Sequence, residues 1–258
     1  MKPRLLPKLA VWKFASCDGC QLSLLNCEDE LLAVTSAVEI AYFPEASSNR
    51  GAGPFDISLV EGSITTPDER DRIQAVRRRS KVLVAIGACA CSGGIQALRN
   101  FGSDVELARS VYPNPELLSI LETSTPISDH VTVDLELRGC PVSKVQLIEA
   151  LQALLDGRKP TFENCSVCEE CKRGGTTCLL VSKRMPCLGP VTVAGCGALC
   201  PAFGRGCYGC FGPKESPNMD AMTSSLRNVG LSDADIVRMF RGINANTPAM
   251  ANAAKDVR

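Results

Sequence analysis

Short apolar runs alternate with stretches of helical periodicity over the first 155 residues. Residues 8–14 are mostly apolar and end at Ala15-Ser16. Behind the turn Cys17-Asp18-Gly19-Cys20, the positions Cys20, Leu24, Cys27, Leu31 and Val34 recur at helical spacing, so the segment reads as strand, tight loop, helix. Residues 38–43 and 56–60 read as the second and third strands, the third closing on Glu61-Gly62-Ser63. A helix is expected over 67–78, with Pro67 suited to its first turn. The fourth strand, 81–86, runs through Gly87 into Ala88-Cys89-Ala90-Cys91-Ser92-Gly93-Gly94. A fifth, 131–137, ends at Arg138-Gly139-Cys140-Pro141 before a helix over 143–155. Five apolar strands separated by helices predict an α/β fold with a parallel, doubly wound sheet.

At Asp156-Gly157-Arg158-Lys159-Pro160 the pattern breaks, and the chain divides into a sheet domain, 1–157, and a smaller, irregular, cysteine-rich domain, 158–258. Nine of the 15 cysteines crowd into 165–210, among glycines and prolines. That stretch has too few large apolar side chains to bury a core of its own and must be folded around something covalent or metallic. Further on, 218–229 reads as a helix stopped by Gly230, and Ser232-Asp233-Ala234-Asp235 as the N-cap of a last short helix to about 242. The small, polar tail 245–258 is expected to be mobile or ordered by a partner.

Charge adds an exclusion. Lys plus Arg and Asp plus Glu both number 28, and a neutral chain is a poor match for nucleic acid, whose binders need excess positive charge to release counterions. Arg77-Arg78-Arg79 reads as a solvated helix end. Behind Met1-Lys2-Pro3-Arg4 the apolar run is too short, and Lys13 too close, for a signal peptide or a membrane helix. A cytoplasmic location follows as an expectation, and in a reducing compartment cysteine clusters serve as metal ligands more than as disulfides.

Cys17 and Cys20 follow the first strand, Cys89 the fourth and Cys140 the fifth. Parallel strands all point one way, so these four thiols converge on one sheet edge beside glycines that let the backbone approach, which makes a four-ligand metal site. Thiolates hold zinc or iron-sulfur clusters. Pairing Cys168-x-x-Cys171 with Cys207-x-x-Cys210 as a zinc ribbon leaves Cys178, Cys187, Cys196 and Cys200 unemployed, whereas wide, unequal spacings suit the corners of a larger cluster. The bacterial ferredoxin run is approached by Cys165, Cys168 and Cys171 but not completed, since the next cysteine is Cys178.

Five motifs together carry a resemblance: Cys17-Asp18-Gly19-Cys20, Val60-Glu61-Gly62-Ser63-Ile64, Gly87-Ala88-Cys89 with Gly93-Gly94, Gly139-Cys140-Pro141, and Pro186-Cys187-Leu188-Gly189-Pro190-Val191-Thr192. In this order, over roughly residues 8–213, they resemble the small, electron-transferring subunit of nickel-iron hydrogenases. Cys168-Glu169-Glu170-Cys171-Lys172, Gly195-Cys196-Gly197-Ala198-Leu199-Cys200-Pro201 and Gly206-Cys207-Tyr208-Gly209-Cys210 are most similar to the delta subunit of cytoplasmic, bidirectional NAD(P)-linked hydrogenases, the sulfhydrogenases. The resemblance implies a flavodoxin-like sheet domain and three 4Fe-4S clusters in line. The proximal one would use Cys17, Cys20, Cys89 and Cys140, and the distal one Cys168, Cys171, Cys178 and Cys187, with Cys168 where exported relatives have a histidine. The medial one would use Cys196, Cys207 and Cys210, with Cys200 at a corner that exported relatives fill with proline. It also implies partners: a large subunit holding the nickel-iron centre, and diaphorase subunits with flavin, iron-sulfur clusters and NAD(P). No catalytic residue is expected on this chain itself.

Three cysteines remain. Cys27 reads as a small buried hydrophobe and Cys91 as a packing thiol, while Cys165 could replace Cys168 by a three-residue slip. His130, the one histidine, reads as a loop or surface residue. Gln21 and Leu22 stand where exported members often carry an acid, so a proton-transfer role does not carry over. Glu61 is a candidate outer-shell or helix-capping group. Two rival readings stay open: the small subunit of a cytoplasmic hydrogenase serving a disulfide reductase or a deazaflavin, and a zinc-stabilised scaffold protein.

Overall fold

The structure, a computed structural model, describes residues 6–27, 30 and 36–257, so Met1–Arg4, Leu31, Val34 and Arg258 of the expectations above lie outside it. The first elements are β1 (Lys8–Lys13), α1 (Gly19–Leu25), β2 (Glu39–Tyr42), β3 (Phe55–Glu61), α2 (Pro67–Arg79) and β4 (Ser80–Ile86). They are followed by α3 (Gly87–Ser92), α4 (Asp104–Val111), β5 (Leu135–Leu137) and α5 (Lys144–Leu155). The strands pair in the order β2-β1-β3-β4-β5, every pair parallel. That is the flavodoxin-like order expected, with ligands belonging at the carboxyl ends of the strands. The inner strands are apolar along their length because both faces are covered: Leu59, Val60, Leu83, Val84, Ala85 and Ile86 are all buried.

Three polar side chains between the strands satisfy one another. Trp12 Nε1 donates to Ser58 Oγ at 3.2 Å, and Ser80 Oγ contacts both Ser58 Oγ and the Val76 carbonyl at 2.7 Å. Helix α2 opens with a capping box: the Glu69 N–H donates to Thr66 Oγ1 at 3.2 Å, and the Glu69 carboxylate accepts from the Thr66 N–H at 3.1 Å. Strand β5 is shorter than the expected 131–137. Asp134 interrupts it, because its carboxylate takes the Leu83 N–H at 2.7 Å and pairs with Arg77 at 2.6 Å, and the Val131 N–H turns back to the Ile127 carbonyl at 3.2 Å.

By their contacts, residues form two units, Met1–Leu137 with Pro141–Pro160, and Arg138–Cys140 with Thr161–Arg258. The second contains α6 (Val167–Arg173), α7 (Leu179–Ser182), α8 (Leu199–Ala202), α9 (Met219–Asn228), α10 (Asp233–Phe240) and α11 (Pro248–Asp256). Its cysteine-rich stretch obtains a core from the three helices C-terminal to it. Leu188 and Val191 are buried with Met222 and Leu226 of α9, Ile236 and Phe240 of α10, and Met250, Ala253 and Ala254 of α11. The tail expected to be mobile is therefore mostly a helix, its small alanines fitting it closely against its neighbours. Among the described residues no helix is long and apolar enough to cross a membrane.

Candidate iron-sulfur sites

At the carboxyl edge of the sheet the end of β1 is tied to that of β3. The Phe14 N–H donates to the Glu61 carbonyl at 2.8 Å, and Ala15 and Ser63 bridge. Asp18, at φ 65°, turns the chain into α1. Glu61 is only 2% exposed. It accepts the N–H groups of Cys20 at 3.1 Å and Gln21 at 3.3 Å and so caps the first turn of α1. Burial pushes the Glu61 carboxyl up, and the Cys20 and Gln21 donors hold it back. Cys89 lies in α3, directly after β4, and the loop behind it turns at Gly94 with φ 60°. A Cβ on Gly94 would stand 2.6 Å from Cys89 Sγ, so glycine is required twice over.

Gln96 Nε2 donates to the Ala15 carbonyl at 2.8 Å and joins the loop after Cys89 to the turn before Cys17. Pro141 reaches the same turn, 3.7 Å from where a Gly19 Cβ would sit. Cys17, Cys20 and Cys89 thus share one sheet edge. Cys140 follows β5 on the positive-φ Gly139, and its contacts fall within the second unit, where its N–H donates to the Cys210 thiol. Ser16 Oγ, Gln21 Oε1 and Gln96 Oε1 are buried here without a partner.

In the second unit the thiols of the two expected sets lie close together, Cys187 beside Cys207. Cys168 and Cys171 lie on α6, Cys178 caps α7 and Cys187 follows it. Burial pushes the Cys168 thiol up to about 11, and nearby Cys187, Cys171 and Cys178 push it the same way. A Cβ on Gly189 would lie in ordinary contact with Cys187 Sγ at 3.4 Å and Cys168 Sγ at 3.6 Å, so both sulfurs flank this residue. Cys165 stands apart, its thiol donating to Glu163 Oε2 at 3.3 Å where Glu163 pairs with Arg173.

The other set is Cys196, Cys200, Cys207 and Cys210. Burial raises Cys210 to about 11, with Cys196, Cys140 and Cys200 adding to it. It raises Cys207 to about 12, against hydrogen bonds from the Gly209 N–H and Thr192, with Cys187 of the first set and Cys210 adding to it. The N–H groups of Cys207 and Gly209 point at the sulfurs of Cys187 and Cys207 at 3.2 and 3.4 Å.

This surrounding fits iron-sulfur clusters. The donors are all sulfur, N–H groups are aimed at the sulfurs of Cys187, Cys207 and Cys210, and Gly94 leaves Cys89 Sγ room that a Cβ would fill. Among the described residues no three His, Cys, Asp or Glu side chains close to the spacing of a single ion.

The remaining residues have other partners. Cys27 is buried and donates to the Ser23 carbonyl at 3.2 Å, Cys91 Sγ lies 3.7 Å from the carbonyls of Ala85 and Leu137, and His130 Nε2 meets Thr125 Oγ1 at 2.7 Å. Sequence reasoning missed Glu170, whose carboxylate takes the N–H groups of Gly195, Gly197 and Ala198 at 2.9, 3.1 and 3.0 Å. The signal was an acid pair between two helical cysteines, one of whose members had to face inward.

Residues 17–154 match the family described as NADH ubiquinone oxidoreductase, 20 Kd subunit. The chain is 37% identical to the sulfhydrogenase 2 subunit delta of Pyrococcus furiosus, over 91% of this chain and 98% of the relative. It is 33% identical to a vhu subunit of the F420-non-reducing hydrogenase of Methanocaldococcus jannaschii, over 89% and 90%. Among solved structures, a chain of an NAD+-reducing nickel-iron hydrogenase in the H2-reduced state superposes with a TM-score of 0.57 at 32% identity, covering 61% of this chain and 96% of that one. A chain of the nickel-iron-selenium hydrogenase of Desulfomicrobium baculatum shares the fold, with a TM-score of 0.54 at 18% identity over 84% of this chain and 97% of that one. On these grounds the chain belongs to the NADH ubiquinone oxidoreductase 20 Kd subunit family, as one of its nickel-iron hydrogenase small subunits.

Proposed function

We propose that this chain relays electrons in a cytoplasmic, NAD(P)-linked nickel-iron hydrogenase and holds three 4Fe-4S clusters. The proximal cluster takes Cys17, Cys20, Cys89 and Cys140, the distal one Cys168, Cys171, Cys178 and Cys187, and the medial one Cys196, Cys200, Cys207 and Cys210. The observation that carries this reading is the crowding of buried second-unit thiols, Cys168 beside Cys171, Cys178 and Cys187, and Cys210 beside Cys196 and Cys200, with backbone N–H groups aimed at the sulfurs of Cys187 and Cys207. Bound there, the clusters supply one-electron transfer. The chain's own part is to fix thiolates at set places and to tune them: the Cys207 and Gly209 N–H groups stabilise negative charge on sulfur, and Glu61 holds the turn of Cys20. Hydrogen cleavage belongs to the large subunit, and flavin and NAD(P) to diaphorase partners. The likeness to a sulfhydrogenase delta subunit and to a chain of an NAD+-reducing hydrogenase supports that assignment.

A second reading has its own support in the F420-non-reducing hydrogenase subunit at 33% identity. In it the same relay serves a different acceptor, such as a disulfide reductase. Anaerobic isolation with whatever co-purifies separates the two. About twelve iron and twelve sulfide per chain are expected, together with flavin-bearing chains and hydrogen-dependent NAD(P) reduction. The same metal content with no NAD(P) reduction selects the second reading. Zinc in a colourless, iron-free protein overturns both.

A further inference from the structure

Resting on the relay reading, we propose that Glu170 is a positioning residue that fixes the Cys196 loop against the helix of Cys168 and Cys171, and that its charge sets the potentials of the medial and distal clusters. Glu170 lies on α6 between two cysteines of the distal set, yet its carboxylate binds the loop of the medial set. Oε1 accepts the N–H groups of Gly195 at 2.9 Å and Gly197 at 3.1 Å, Oε2 accepts that of Ala198 at 3.0 Å, and Cys196 Sγ is 3.8 Å from Oε2.

The loop needs such an anchor. Gly195, Gly197 and Ala198 all have positive φ, 142°, 65° and 52°, and their N–H groups turn inward as a concave nest for an anion. Ala198 holds a left-handed conformation that L-residues avoid, and it is buried at 1% exposure, so no water can take over its N–H. One carboxylate therefore answers three donors on the strained loop that delivers Cys196.

The same oxygens put a negative charge between the two sets. When Cys196 ligates iron its thiol proton is gone, and Glu170 then faces a thiolate across that distance. A nearby fixed anion disfavours adding an electron, so it lowers the potential of each adjacent cluster. Glu169, next in sequence, is the natural control. It faces solvent and pairs with Lys172 at 3.1 Å, where its charge is screened.

The test is a potentiometric titration followed by electron paramagnetic resonance on the anaerobically isolated complex, with iron and sulfide counted per chain. Glu170→Gln keeps one oxygen for the N–H groups of Gly195 and Gly197, gives up the charge and the Ala198 acceptor, and is expected to keep its iron while the medial and distal potentials move positive and the proximal one stays put. Glu170→Ala is expected to lose about four of about twelve iron as the medial site empties. Glu169→Gln should match the wild type in every respect. If Glu170→Gln leaves all potentials unchanged, or Glu169→Gln shifts them equally, the inference is overturned while the relay stands. A wild-type complex without iron overturns the relay and this inference together.

Discussion

Cys165 and Cys168, three positions apart, have different surroundings. Cys168 sits on the inner side of α6 among Cys171, Cys178 and Cys187, while Cys165 precedes the helix and is held by Glu163 beside Arg173. Spacing alone left both open as the distal ligand, because the choice depends on where α6 begins, and Ser166, its N-cap, stands between the two cysteines. Cys165→Ser is expected to leave the iron content unchanged and Cys168→Ser to lower it by up to about four per chain; metal analysis of both variants checks this. Cys200→Ser tests the fourth medial corner, with a loss of about one iron expected as a three-iron cluster forms. His130 offers a check on the sheet domain. Burial lowers its pKa from the ordinary 6.5. Between that lowered value and 6.5 the unfolded chain binds more protons, so this residue's stabilising contribution grows with pH and is complete above about 6.5. Hydrogen-deuterium exchange at the imidazole C2 position, read by mass spectrometry, should give a single midpoint below 6.5.

At the scale of elements, turn geometry sets what each loop tolerates. Gly94 and Gly157 have similar φ, 60° and 71°, but a Cβ at Gly94 meets Cys89 Sγ and Cα, whereas one at Gly157 meets nothing within 4 Å. Gly157→Ala should cost about 1 kcal/mol of backbone strain, and Gly94→Ala about 3 kcal/mol or more with reduced iron content, by thermal unfolding and metal analysis. The strands and α2 were legible because apolar runs and the Thr66-Pro67 start are local signals. Strand β5 was over-extended because Asp134, four residues into the expected run, bonds sideways to Leu83 and Arg77. The tail was misread for a related reason. Met250, Ala253 and Ala254 form a narrow apolar stripe whose meaning depends on α9 and α10. Met250→Ala is expected to destabilise the second unit by about 2–5 kcal/mol, seen as a lowered thermal midpoint.

Across the whole molecule, parallel topology made part of the site readable in the sequence, since strands pointing one way bring Cys17, Cys20 and Cys89 to one edge. The second unit was readable as cysteine-rich but not as packed, because the apolar residues behind its loops come from elsewhere in the sequence. Leu188 and Val191 flank the Cys187 turn and are buried by α9, α10 and α11. All 15 cysteines are in place by residue 210, whereas Met250 to Val257 complete the wall behind Cys187. A nascent chain carrying every thiol still lacks that backing, so the apolar packing around Leu188 and Val191 closes only once α11 has been made.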